Sequence, residues 1–164
     1  YSPDGQLIVT TSSDKTARLW DAKTHAFVRE FRGHEWAVLC ADFTKDGKWL
    51  VTGSDDKEAR IWDVKTAEVL HKLKGHTASV TSVSFSPDAA RVLTGSHDQS
   101  AKLWDIGGKE ILTLSRHTED VTSVAFSPDG NQILTSSRDG TAVIWLSKPW
   151  GKPAGVSSVI PSDK

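Results

Sequence analysis

Four of the chain's seven tryptophans, Trp20, Trp62, Trp104 and Trp145, stand 42, 42 and 41 residues apart. A fixed spacing of this size constrains the fold more than any other feature here. It marks one supersecondary unit repeated along the chain, each copy too small to bury its apolar face without a neighbour. Other residue types keep the same step. Asp14, Asp56, Asp98 and Asp139 each lie six positions before their tryptophan, and Thr10, Thr52, Thr94 and Thr135 lie ten before. His34, His76 and His117 lie 28 before Trp62, Trp104 and Trp145. The segments starting at Ser2, Thr44, Ser86 and Ser127 recur in step as well, with Pro, Asp and Gly that favour a turn.

Each repeat reads as short strands. Leu39, Ala41 and Phe43 alternate with Val38, Cys40 and Asp42, a period of two. Thr81-Val83-Phe85 and Thr122-Val124-Phe126 repeat that face. A second strand is expected at Trp49–Ser54, with counterparts at 7–12, Arg91–Ser96 and Gln132–Ser137. A third ends at each tryptophan, after a short turn that holds the aspartate. A fourth is expected at 69–73 and again at 111–114. Gly107-Gly108 reads as a two-residue hairpin signal and accounts for the single interval of 41. No amphipathic helix is evident. The expected fold class is all-β, built of small stacked antiparallel sheets.

The pattern resembles the WD-repeat β-propeller family. The resemblance rests on Gly33-His34, Gly75-His76, Trp20-Asp21, Trp62-Asp63 and Trp104-Asp105, and it covers residues 1–146. It implies four-stranded antiparallel blades arranged radially, here about four of them, a partial or half propeller. The repeats would run at about 1–32, 33–74, 75–115 and 116–146. The resemblance further implies structural tetrads of histidine, threonine, aspartate and tryptophan: His34, Thr52, Asp56 and Trp62; His76, Thr94, Asp98 and Trp104; His117, Thr135, Asp139 and Trp145. Thr10, Asp14 and Trp20 make a set without its histidine. A buried aspartate needs donors, which a histidine N–H and a threonine hydroxyl can supply, and the indole N–H needs an acceptor. Three departures stand out. Arg116 precedes His117, Leu146 follows Trp145, and Ala89 replaces a turn glycine. The first and third read as drift on exposed loops, the second as the end of the repeat region.

A His-Asp-Thr set could be taken for catalytic machinery, but an active site is needed once and this set recurs in three successive repeats. No catalytic residue is assigned. Metal and cofactor sites are likewise not expected. The repeat histidines belong to separate blades, His25, His71 and His97 read as solvated, and there is no zinc-ligand spacing, phosphate loop or EF-hand. Cys40 shares a strand register with Ser82 and Ser123 and reads as a small core-lining residue. Arg60 and Lys102 share a register with Arg18 and read as solvated or stacked on neighbours.

The informative residues are those that break the repeat. Trp36 aligns with Ala78 and Glu119 in the loop after Gly33-His34, so the repeat does not demand it. An exposed aromatic there is a candidate hot spot. In the family that loop edge and the aspartate turn form the binding face. By register the face includes Leu39 and Asp55, Thr81 and His97, and Thr122 and Arg138. Trp49 aligns with Leu7, Arg91 and Gln132 at the opposite strand end and reads as rim packing.

Twenty basic residues against 21 acidic ones give a formal net charge of -1, without the basic excess of a nucleic-acid binder. No apolar run approaches the roughly 20 residues of a membrane helix, no secretory signal opens the chain, and the expected location is cytoplasmic. Tyr1 aligns with Phe43, Phe85 and Phe126, so the first blade should lack its innermost strand. Residues 147–164 are rich in Pro, Gly and Ser and read as a tail or linker, leaving the fourth blade without an obvious outermost strand; Trp150 is a candidate for docking on that blade. Methionine is absent, as in a processed chain or fragment. The expected function is a non-catalytic interaction scaffold for a protein or peptide partner. The alternative is a regulatory or recruiting part of a larger enzyme, such as a bacterial protein kinase. The ring would be completed by missing blades of the same parent chain, or by a second copy forming an eight-bladed ring.

Overall fold

Alternating apolar residues make each short segment a strand with one face to bury, and the turn sequences between them reverse the chain. The computed structural model describes residues 1–146 and, for backbone pairing, 155–161. It contains four antiparallel sheets and, among the described residues, no helix. The first sheet has three strands, β1 (Leu7–Thr11), β2 (Thr16–Asp21) and β3 (Phe27–Arg32). The second is β4 (Val38–Phe43), β5 (Trp49–Ser54), β6 (Glu58–Asp63) and β7 (Val69–Lys74). The third is β8 (Val80–Phe85), β9 (Arg91–Ser96), β10 (Ala101–Asp105) and β11 (Glu110–Leu114). The fourth is β12 (Val121–Phe126), β13 (Gln132–Ser137), β14 (Thr141–Leu146) and β15 (Gly155–Pro161).

The last strand corrects an expectation. Within the segment read as a tail, Gly155–Pro161 pairs antiparallel with β14, so the fourth sheet has an outermost strand. Proline is tolerated there because Pro161 ends a strand at a sheet edge, where a missing N–H breaks no central ladder. Trp150 lies outside the described residues.

Three apolar clusters fill the spaces between successive sheets. Leu19 and Phe31 of the first sheet meet Phe43, Leu50 and Trp62 of the second. Val51, Ile61 and Leu73 meet Val83, Val92 and Trp104. Leu93, Leu103 and Leu114 meet Val124, Ile133 and Trp145. Each tryptophan therefore anchors its sheet to the one before it; Trp62 packs edge-on to Phe31 with ring centroids 5.6 Å apart. Burying one such large side chain contributes about 1.5–3 kcal/mol. Trp20, with no described sheet before it, is only partly buried.

The first strands β4, β8 and β12 lie side by side, and two glycines permit that approach. A Cβ on Gly53 would sit 2.6 Å from Cys40 Sγ and 2.7 Å from Val80 Cγ1. A Cβ on Gly95 would sit 2.8 Å from Val121 and Val124 methyl carbons. Side chains then tie strand to strand: Ser82 Oγ accepts from Val124 N–H at 3.1 Å, and Asp42 Oδ2 accepts from Phe85 N–H at 2.8 Å. Burial pushes the Asp42 carboxyl up, against the pull of the Phe85 and Phe43 amides and the amino terminus.

The turns also depart from expectation at two points. Ala89 adopts φ +56° where Gly5, Gly47 and Gly130 adopt +70°, +70° and +69°. Its replacement of glycine is therefore backbone strain of about 1–2 kcal/mol rather than neutral drift. The Gly107-Gly108 connection spans residues 106–109, closed by Gly108 N–H to Asp105 C=O at 3.0 Å. The equivalent turns run one residue longer, with Ala67 N–H on Asp63 C=O and His25 N–H on Asp21 C=O, both at 2.9 Å.

Candidate functional site: the braced loop face

The loops that enter the second, third and fourth sheets are held by one hydrogen-bond relay each. Trp62 Nε1 donates to Thr52 Oγ1 at 2.8 Å. Thr52 Oγ1 lies 2.8 Å from His34 Nε2, and His34 Nδ1 lies 2.7 Å from Asp56 Oδ2. One proton assignment satisfies every atom. The indole donates to the threonine oxygen, the threonine hydroxyl donates to Nε2, and Nδ1–H donates to the carboxylate. The threonine hydroxyl thus serves the histidine; the sequence reading had it on the aspartate. Asp56 instead collects backbone donors: Glu35 N–H on Oδ2 and Glu58 N–H on Oδ1, both at 3.0 Å. Burial alone would raise the Asp56 carboxyl, but the His34 bond and these amides outweigh it and bring it down to about 2.

The relay repeats with small variation. His76 sits 2.8 Å from Asp98 and 2.7 Å from Thr94, with Trp104 2.9 Å from the same threonine. His117 sits 2.9 Å from Asp139 and 2.8 Å from Thr135, with Trp145 at 3.0 Å. Asp98 and Asp139 are also held well below the usual carboxylate range: burial opposes the shift, and hydrogen bonds from histidine, hydroxyl and amide overcome it. The first sheet keeps only the Trp20–Thr10 bond, at 2.9 Å. Asp14 there faces Arg18 at 2.6 Å instead of a histidine. A fully satisfied buried network of this kind rigidifies a turn. It places no nucleophile against an open site.

The loop glycines have a cause. A Cβ on Gly33 would meet Arg60 Nη1 at 2.6 Å, and one on Gly75 would meet Trp104 at 3.1 Å and Lys102 at 3.8 Å. In the fourth repeat the strand residue in that register is Val143, and the loop residue is Arg116. Arg60 is not solvated. It is buried, 3.1 Å from Glu58 and 3.7 Å from Asp56, with its Nε lacking a partner. Lys102 pairs with Glu110 at 2.9 Å.

On these braced loops Trp36 is 63 % exposed, and its backbone is fixed by Ser54 Oγ donating to its carbonyl at 3.3 Å. Leu39, Thr81 and Thr122 are each the extra residue of a β-bulge at the loop end of β4, β8 and β12. Bulges re-aim side chains, and no sequence pattern marked them. Leu39 and Thr122 are exposed. Thr81 is half-buried and lies 2.6 Å from Val121 C=O in the next sheet. The amides of Asp55, His97 and Arg138 bond the incoming loops at 2.9, 3.0 and 2.9 Å. His97 and Arg138 approach one carboxylate from neighbouring sheets, at 3.7 and 3.1 Å from Asp120 Oδ2. Asp120 was missed by sequence reasoning, although it departs from Ala37 and Ser79 at the same register.

Cys40 is partly buried, and burial pushes its thiol up to about 12, which suits a packing residue. Among the described residues no three His, Cys, Asp or Glu side chains gather to hold a metal ion, and no helix is long and apolar enough to cross a membrane.

The sequence profile of the family described as WD domain, G-beta repeat matches residues 1–21, 25–63, 67–105 and 108–145. The chain belongs to the WD-repeat family. Its all-β sheets are the blades of a partial β-propeller, and WD repeats of this kind form protein-interaction scaffolds. A 34-residue stretch is 53% identical to the Notchless protein homolog of Arabidopsis thaliana, covering 21% of this chain and 7% of that relative. The match therefore spans one WD repeat's worth of sequence.

Proposed function

We propose that the chain is a non-catalytic scaffold that holds a protein or peptide partner on the loop face of its blades, with Trp36 as the anchor. The observation that carries this is Trp36 itself, a large apolar side chain left 63 % exposed on a loop that the His34–Asp56 pair holds rigid. Preorganisation lowers the ordering cost of binding, and buried tryptophans dominate interface energetics. Leu39 extends the apolar surface, while His97, Arg138 and Thr122 give the far side a polar character. Peptides selected from a display library against the chain test the reading. Trp36→Ala should weaken them by at least about tenfold, the value of one anchoring contact, at unchanged melting temperature. An unaltered affinity removes Trp36 from the site.

Trp20, only partly buried where its three counterparts are buried, supports a further part of the proposal, a companion for the first blade. Thr10 accepts from the indole without a histidine beside it, whereas the other three blades each receive one. The companion is either further blades of a parent chain or a second copy completing an eight-bladed ring. Light scattering separates them: a discrete dimer supports the second copy, and a monomer counts against it.

A further inference from the structure

Three departures from the repeat converge at one place on the blade ends opposite the braced loops. Trp49 stands where other repeats have Leu7, Arg91 and Gln132. His71 stands where β3 and β11 carry Arg29 and Leu112, as the pairing registers show. Gly107 stands where Lys23 and Lys65 occupy the longer turns. Together with Ile61, Leu70 and Ile106 these residues line a cavity of about 100 Å³ between the second and third blades.

The cavity follows from the shortened turn. A turn one residue shorter, with no side chain at Gly107, leaves open the space beside Trp49 that a lysine stem would cover. Leu70 is the bulge residue of β7 and is 39% exposed, so the wall on that side faces outward. The volume is below the ~150 Å³ that takes up a benzene ring, and suits a branched aliphatic group.

The surroundings specify what would carry that group. β7 is the edge strand of its sheet, which leaves one side of its backbone available to a further strand. Its sequence VLHKLK has no acidic residue. The Lys74 and Lys102 ammonium groups are held by Glu58 and Glu110, whereas those of Lys72 and Lys109 form no ion pair among the described residues, the Asp105 carboxylate taking the Lys109 backbone amide at 2.8 Å. Along β7 the residues alternate between faces: His71 pairs with Ile61 on the cavity side, and Lys72 pairs with Arg60 on the other. A strand added to β7 would therefore place one residue toward the cavity and one of its neighbours opposite Lys72.

We infer that the groove between the second and third blades is a second binding site, for an extended acidic peptide segment that inserts one aliphatic side chain beside Trp49. The site is independent of the loop face, so its failure and the failure of the Trp36 reading are separate results.

The probe is an acetylated, amidated pentapeptide with a central leucine flanked by two glutamates on each side, titrated into the whole 164-residue chain. The expected result is a saturable shift of the Trp49 indole N–H and of the Ile106 and Gly107 amides in proton–nitrogen NMR spectra. Replacing the peptide's leucine by alanine should weaken binding by at least about tenfold, as loss of one buried aliphatic group does. Gly107→Leu should do the same by filling the groove; it adds a side chain at an exposed turn and leaves the partly buried Trp49 in place. A lysine-flanked peptide should not bind. Absence of a shift at millimolar peptide overturns the inference. So does unchanged affinity in Gly107→Leu, or a set of shifts centred on Trp36 and Leu39 instead.

Discussion

Replacing Asp56 by alanine isolates what the histidine relay contributes. The His34 and Asp56 side chains are 1% and 5% exposed, so the Nδ1–H left behind has no water to turn to. A hydrogen bond to a charged group contributes about 1.5–3 kcal/mol, and an ordinary one about 0.5–1.5. Losing the His34 bond and two amide bonds, with the amides of Glu35 and Glu58 partly rehydrated near the surface, sums to about 3 kcal/mol. At roughly 2–4 °C per kcal/mol for a chain of this size, the melting temperature should fall by about 6–12 °C. Asp14→Ala is the internal control: the same register, without a histidine, in an exposed turn. Asp14 accepts from Thr16 and pairs with Arg18 at the surface, where water replaces the lost partners, so this variant should lose clearly less than Asp56→Ala. Urea unfolding followed by tryptophan fluorescence measures both. Equal losses in the two variants, or an unshifted Asp56→Ala, would refute the reasoning that the buried relay fixes the blade.

Acid should reveal the same network. Asp56 is brought from an ordinary 3.8 to about 2 in the folded chain, so its contribution is fully present above pH 4 and is lost as pH falls toward 2; it amounts to about 2 kcal/mol. Unfolding free energy measured from pH 5 to pH 2 should decline accordingly, and a flat profile counts against it. Ala89→Gly should raise stability by up to about 1 kcal/mol, because relief of left-handed strain exceeds the added freedom of the unfolded chain; an unchanged or lowered melt contradicts the turn assignment. Gly53→Ala should cost about 1–3 kcal/mol through overpacking against Cys40 and Val80, which thermal denaturation will show.

Most of the architecture was legible in the spacing of a few residue types, because each repeat solves the same packing problem with the same residues. His34, Thr52, Asp56 and Trp62 keep one step along the chain and the family resemblance groups them, but the order of their bonds could not be read there. That order depends on which atoms face each other, and it put Thr52 between the indole and the imidazole. β15 was hidden because its strand-forming residues lie among Pro, Gly and Ser, and composition weighs a segment without knowing that β14 offers it an edge. The bulges at Leu39, Thr81 and Thr122 preserve the period of the sequence while shifting the pairing, so periodicity does not register them. Arg60 looked like a surface residue by type. Its burial comes from the glycine on the facing loop, a relation between residues 33 and 60 that appears only in three dimensions.

Where a partner sits decides the role of the braced loop face most directly. Chemical-shift mapping of the chain with a display-selected peptide should perturb Trp36, Leu39 and the turns at Asp55, His97 and Arg138, the residues gathered on the braced loop face. Perturbations confined to the partly buried Trp20 and its blade, with Trp36 and Leu39 unmoved, would contradict a partner site on the loop face.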